Sequence, residues 1–280
     1  MPAFDPNAPR IASLVPSLTE LLLALGLGPW MVARTGFCIH PAEQVAAIPK
    51  VGGTKDVNLG KLRRLAPSHV LLNPDENRLD TAEALRQFVP ELIVSHPQEP
   101  EDNLALLAQM LHHFGHLPGV RERAQALSER LSHSLQACRQ QGWPGERVLY
   151  LIWREPWMTV ARDTYIARML AEVGWQTWPN QRGGDTGAAR YPQLRGDEPW
   201  LQQVDLVLLS SEPYRFDASH RPLAQALCPQ AQVQLIDGEL ISWYGPRASE
   251  GLDLLRALAT ERVSAQAAPR IRHAGFGKTG

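Results

Sequence analysis

Residues 102–142 carry a helical period with no strand signal, interrupted once at residues 115–119, and this long stretch divides two regions in which short apolar runs alternate with amphipathic helices. Alternation of that kind builds parallel sheets covered by helices, so a strandless break of about forty residues separates two α/β units instead of extending one sheet. Within the break, Val120, Ala124, Leu127, Leu131, Leu135 and Cys138 fall three, four or seven apart on one stripe, with charged and polar residues opposite. Twenty such residues at 1.5 Å each make a rod of about 30 Å, too regular for a flexible linker. The predicted units are an N-terminal α/β lobe over 10–117, an interlobe helix over 118–142, a C-terminal α/β lobe over 146–260 and a loose, aperiodic tail over 261–280.

The first lobe opens on RIASLVPSLTELLLALGLG, residues 10–28. Its apolar run suits a strand inside a parallel sheet, and Pro16 ends the run because it has no N–H for the ladder. Ser17 and Glu20 stand at capping-box spacing, Leu18, Leu21, Leu22 and Leu25 mark a helical face, and Gly26 with Gly28 closes it. A helix N-terminus then points free amides past the carboxyl end of a strand, where open α/β sheets bind ligands. Further strands are predicted at 31–34, 70–72, 92–94, 147–153, 206–209 and 233–236, and helices at 59–65, 81–88, 165–173 and 251–258. LRRLAPSHVLLNPDE in the first half and the run through residues 201–214 in the second share an order of short helix, apolar strand and glutamate-bearing loop. The fold class is therefore two Rossmann-like lobes with parallel sheets, built by duplication.

Acidic and basic residues nearly balance at a net charge of −1, so no field favours nucleic acid or an anionic membrane. No run approaches the roughly eighteen apolar residues of a membrane helix. MPAFDPNAPR has no basic, apolar or cleavage region of a secretory leader, so the chain as written is expected in the cytoplasm, with the periplasm as the alternative if a leader was removed. Cys38, Cys138 and Cys228 are odd in number and widely scattered, as free thiols are.

The sequence has no GxSxG elbow, no GxGxxG after the first strand and no HExxH. GFGKT at 275–279 echoes a phosphate loop but has no helix after it. His112, His113 and His116 share a helix at spacings that could hold a metal, although a solvated histidine face is the expectation. The tryptophans are more telling: Trp153, Trp157, Trp175, Trp178, Trp200 and Trp243 all fall in the second half. WREPW and SWYG set flat rings at strand exits and turns, where they either receive a flat apolar ligand or pin the lobes.

RIASLVPSLTELLLALGLG, VGGTKDVNLGKLRRLAPSHVLLNPDE and the closing DGELISWYGPRASEGLDLL together resemble the substrate-binding proteins of ABC importers for cobalamin, siderophores and haem, over roughly residues 10–260. The resemblance implies a clamshell whose interlobe helix limits opening, a monomer, no enzymatic activity, no cofactor and no metal of its own. By position it implies a cleft formed by Pro16, Ser17, Phe37, Cys38, Gly53, Thr54, Asn73, Trp153, Trp157, Tyr191, Ser211, Trp243, Tyr244 and Arg247. Arg154, Arg190 and Arg247 are the obvious cations there, few for an anionic siderophore, which favours a cobalamin-like corrinoid over a siderophore or haem. It also implies an ABC permease partner docking to one acid per lobe, Glu76 and Glu212, with Asp80 and Glu83 as rivals in the first. A cytoplasmic tetrapyrrole-handling protein or chelatase-like enzyme is the remaining alternative.

Overall fold

The computed structural model describes residues 8–267. Strands β1 (Ile11–Ser13), β2 (Met31–Arg34), β3 (His69–Leu72) and β4 (Glu91–Val94) form one sheet, and β5 (Glu146–Leu151), β6 (Trp175–Thr177), β7 (Leu206–Ser210) and β8 (Gln232–Ile236) form another. The spatial orders are β2-β1-β3-β4 and β6-β5-β7-β8, every pair parallel, so the second lobe repeats the topology of the first. The duplication read from residues 201–214 is that of β3 and β7, third in chain order in their lobes. Strand β6, three residues with a polar centre, had no apolar run to announce it.

Both faces of each sheet are covered, and alternation along the strands sorts side chains between two cores. Ile11 and Leu71 of the first sheet, and Val148, Tyr150, Leu206 and Leu208 of the second, point into one continuous inner core. Their neighbours Ala12, Val70 and Leu72, and Leu149, Leu151, Val207 and Leu209, fill separate outer cores.

The inner core is shared by the lobes through helices α1 (Pro16–Ala24), α5 (Asp102–Phe114), α6 (Val120–Arg139) and α10 (Arg247–Ala267). Helix α6 is the rod: Val120, Ala124, Leu131, Leu135 and Cys138 of its stripe are buried, Leu127 partly so, and the Cys138 thiol reaches Leu252 O on α10. A common apolar core resists hinge motion because opening would return that area to water at roughly 25 cal/mol per Å². The remaining helices are α2 (Ala42–Val45), α3 (Leu59–Arg64), α4 (Leu79–Leu85), α7 (Tyr165–Ala171), α8 (Arg221–Leu227) and α9 (Gly238–Ser242).

Two local expectations are corrected. Helix α1 starts at Pro16, where a missing N–H costs nothing, so Val15 is the N-cap, Ser17 lies inside the first turn and no side chain caps the helix. Glu20 instead bonds Arg247 Nε at 2.6 Å across the lobes. The expected loose tail begins as ordered helix: α10 runs to Ala267 because Arg262 answers the buried Glu146 carboxylate with bonds of 2.8 and 2.9 Å. The GFGKT stretch lies outside the described residues.

Candidate ligand-binding site

A parallel sheet points all its carboxyl ends one way, and the two lobes turn those ends toward each other. The segments leaving β1, β2, β3, β4, β5, β7 and β8 all contribute to one cavity of about 640 Å³ between them. A hollow of similar size by β8 and α10 is lined by amides and by the paired Arg262, away from both sets of carboxyl ends. The interlobe cavity is the place where fold geometry puts a ligand.

Nine of the residues implied by the sequence line it: Pro16, Ser17, Phe37, Thr54, Asn73, Trp153, Tyr191, Trp243 and Tyr244. Phe37 and Trp153 stand at its mouth, 63% and 40% exposed, from opposite lobes. Tyr191 and Tyr244 lie deeper, and burial raises both phenol pKa values, so they remain neutral.

Five others do not line the cavity, each for a visible reason. Cys38 is buried beneath the loop and contacts Thr35 Oγ1 at 3.1 Å. Gly53 backs Phe37: a Cβ there would meet that ring at 3.2 Å. Trp157 stacks on Phe216 at 6.0 Å and 8°, in the outer packing of the C-terminal lobe. Ser211 accepts the amide of Gly238 at 2.8 Å and so ties the β7 and β8 exits together. Arg247 is committed to Glu20 and to Glu239, 2.8 Å away, and lies 4.8 Å over the Trp243 ring, positioning that indole instead of facing ligand. Trp175 is core, while Trp178 and Trp200 pack on each other. Of the six tryptophans weighed, only Trp153 and Trp243 are cavity walls.

The acids implied as docking points sit elsewhere. Glu76 and Glu212 leave equivalent strands, β3 and β7, and both line the cavity. Duplication put them at matching carboxyl ends, and those ends face inward. Burial, then the charge of Glu212, pushes Glu76 up to about 8. Burial likewise raises Glu212, against hydrogen bonds donated to its Oε1 by Ser242 Oγ at 2.6 Å and Trp243 Nε1 at 2.7 Å. Asp80, paired with Arg78, and Glu83 are exposed and outside the cavity.

Residues that sequence reasoning missed complete the walls: Ile39, Ile152, Met158 and Ile166 add apolar surface, and Asp75, Glu239 and Ser242 add polar groups. Asp75 joins the lobes, 3.1 Å from His96 Nε2 and 3.4 Å from Arg190 Nη2. Arg190 was noted for its charge, yet Asp75 and Gly184 O, 2.7 Å from its Nη1, occupy it. The signal available was position, since Asp75 and Glu239 directly follow strands.

Among the described residues no group of three or more His, Cys, Asp or Glu could hold a metal. His113 instead packs edge-on with His69 and His112, and burial first of all lowers the pKa of His69 and His113. No helix among the described residues is long and apolar enough to cross a membrane.

Residues 11–214 match the profile of a family described as periplasmic binding protein. The chain is 26% identical over 204 residues to a vitamin B12-binding protein of Vibrio vulnificus, covering 72% of this chain and 71% of that one. It is 23% identical over 263 residues to an uncharacterised ABC transporter substrate-binding lipoprotein of Bacillus subtilis, covering 88% and 78%. The periplasmic vitamin B12-binding protein of Vibrio cholerae superposes with a TM-score of 0.75 at 18% identity, covering 91% and 97%. A periplasmic heme-binding protein from Roseiflexus superposes with a TM-score of 0.72 at 20% identity, covering 91% and 99%.

Proposed function

Because the chain belongs to the periplasmic binding protein family, we propose that its interlobe cleft holds a cobalamin-like corrinoid, unchanged, for delivery to an ABC permease. The single observation that carries the choice of ligand is the chemistry of the lining. Phe37, Trp153, Tyr191, Trp243 and Tyr244 offer ring surface to a flat macrocycle, while the polar groups among them are mainly acids and hydroxyls, with the Asn73 amide and Arg190. Haem and most siderophores bring carboxylates or other anions into such a cleft. Here they would meet Asp75, Glu76, Glu212 and Glu239, against the one lining guanidinium of Arg190, whose Nη2 pairs with Asp75 at 3.4 Å. A corrin rim of neutral amides meets no such repulsion. The vitamin B12-binding relative supports this reading, and the heme-binding neighbour makes haem the competitor to test.

The family is one of substrate-binding proteins, and we read the cleft as a site of grip and release, against the chelatase-like alternative. The family description and the lipoprotein relative favour the periplasmic compartment over the cytoplasmic expectation. For the permease, exposed Asp80 and Glu83 on the outer N-terminal lobe replace Glu76 as the docking acids.

The test is to mix the protein with cyanocobalamin at micromolar concentration and resolve it by gel filtration, with haem in a parallel run. Comigration of the red chromophore with protein, and no Soret band from haem, is the expected result. A colourless protein peak rules the corrinoid out.

A further inference from the structure

Three polar side-chain atoms in the wall of the cleft lack a partner at full hydrogen-bond geometry although their residues are more than nine-tenths buried: Arg190 Nε, and Ser17 Oγ and Tyr244 OH, which lie near enough to bear on one another. Buried hydroxyls are normally paired, so groups left open in a cavity wall are open toward whatever fills it. Two of the three adjoin one another. Gly245, next to Tyr244, packs against the first turn of α1, where a Cβ on it would stand 3.5 Å from Ser17 O and 3.4 Å from Leu21 Cβ. That turn has no side-chain cap, so its leading amides add donors at the same spot. Glu76 reaches the same cavity and bears on Tyr244 as a nearby acid. Asn73, beside Tyr244, is fixed in place, its Nδ2 donating to Ser95 O at 2.8 Å and its Oδ1 accepting from Asp75 N at 2.7 Å, which leaves one N–H and one lone pair for the cleft.

We propose that Ser17 Oγ, Tyr244 OH and the Glu76 carboxyl form a reader for one primary carboxamide arm of the ligand and reject the carboxylate that replaces it in the hydrolysed form. This rests on the corrinoid reading and names the rim group that the floor of the cleft selects. A primary carboxamide presents one acceptor and two donors, and the hydroxyls and a protonated carboxyl can each give or take. A carboxylate only accepts, and it would lie among Asp75, Glu76, Glu212 and Glu239, which outnumber the cations beside them: Arg190, paired with Asp75, and Lys55, whose Nζ donates to Asp75 O at 2.7 Å. Sites built to hydrogen-bond a polar group discriminate strongly against analogues that leave their own groups unpaired.

The experiment titrates the full chain with dicyanocobinamide, whose rim is amidated, and with dicyanocobyrinic acid, the same macrocycle carrying carboxylates. Quenching of tryptophan fluorescence reports binding, and calorimetry checks it. The amidated form is expected to bind at least about 100-fold more tightly. Ser17→Ala and Tyr244→Phe are each expected to weaken the amidated form about 10-fold and to leave the acid form's affinity where it was, with unchanged melting temperatures confirming the fold. Equal affinity for the two macrocycles in the wild type overturns the reader while the corrinoid reading stands, because solvent then satisfies the hydroxyls. Full preference retained in both variants also overturns it. Failure of both macrocycles to bind removes the corrinoid reading and the reader with it.

Discussion

Replacing Glu76 by Gln should stabilise the ligand-free protein, and by an amount that grows with pH. The carboxyl leaves the end of β3 inside the cleft, where burial, the charge of Glu212 and the nearby Asp75 all oppose its ionisation, and Lys55 opposes them only in part. The remaining charged groups facing this cavity, Glu239 and the Asp75-bound Arg190, leave that balance acidic. In the unfolded chain the group titrates near 4.5, whereas in the fold it holds its proton until about 8. Between those values the native state binds more protons than the unfolded state, so stability falls as pH rises through that window and levels off above it. At about 1.4 kcal/mol per pH unit the full gap is worth about 5 kcal/mol, a ceiling that water entering the half-open cleft reduces to about 1–3 kcal/mol. Gln keeps the shape and both hydrogen-bonding capacities without the titration. Urea denaturation followed by tryptophan fluorescence at pH 5, 7 and 9 measures this, provided the slope against urea stays constant between variants. The curves of wild type and variant should nearly coincide at pH 5, and the variant should lead by 1 kcal/mol or more at pH 9. Parallel curves across the range would refute the argument, because they would mean that Glu76 ionises in the fold as freely as in water. A double variant with Glu212→Gln should gain less than the two single gains together, since each acid penalises the other.

Trp243→Ala should weaken cyanocobalamin binding about 10-fold or more by fluorescence titration, whereas Trp157→Ala, outside the cavity, should cost about 3 kcal/mol of stability in urea and leave affinity intact. Arg247→Met should destabilise the protein by about 3 kcal/mol, seen as a lower melting temperature, because it strands Glu20 and Glu239, only 15% and 24% exposed, without their shared cation. Cys38, Cys138 and Cys228 are all buried, and burial raises their thiol pKa values, that of Cys138 to about 11, so Ellman's reagent should report no fast-reacting thiol until denaturant is added.

The architecture was legible because the central strands β1, β3, β5 and β7 are buried on both faces and the rod carries one clean stripe. Ile11, Val70, Val148 and Val207 stand in short runs bounded by proline, glycine or charge, and no amphipathic pattern competes with that signal. What escaped notice was held by contacts made at a distance. Strand β6 survives with Gln176 at its centre because β5 pairs with it, and the last turns of α10 survive because Glu146, more than a hundred residues earlier, needs Arg262. Periodicity within a window cannot register a partner outside it.

Most of the rings that line the cavity stood out in the sequence and the inward placement of its acids did not, and both results have one cause. A ring's use is settled by whether a neighbour packs on its face: Phe216 claims Trp157, whereas one face of Trp243 is left to the cleft by Arg247. An acid's use is settled by which way its strand points. Glu76 and Glu212 follow strands of the same rank in duplicated lobes, and two parallel sheets opposed at their carboxyl ends bring those positions toward the same cavity. Two like charges converging on low-dielectric space cannot both stay ionised without cost, so the duplication that marks the pair in sequence also obliges at least one of them to hold its proton at neutral pH. A cleft assembled this way sets a cost on any further negative charge brought into it before any single contact is considered, because its acids already oppose one another's ionisation.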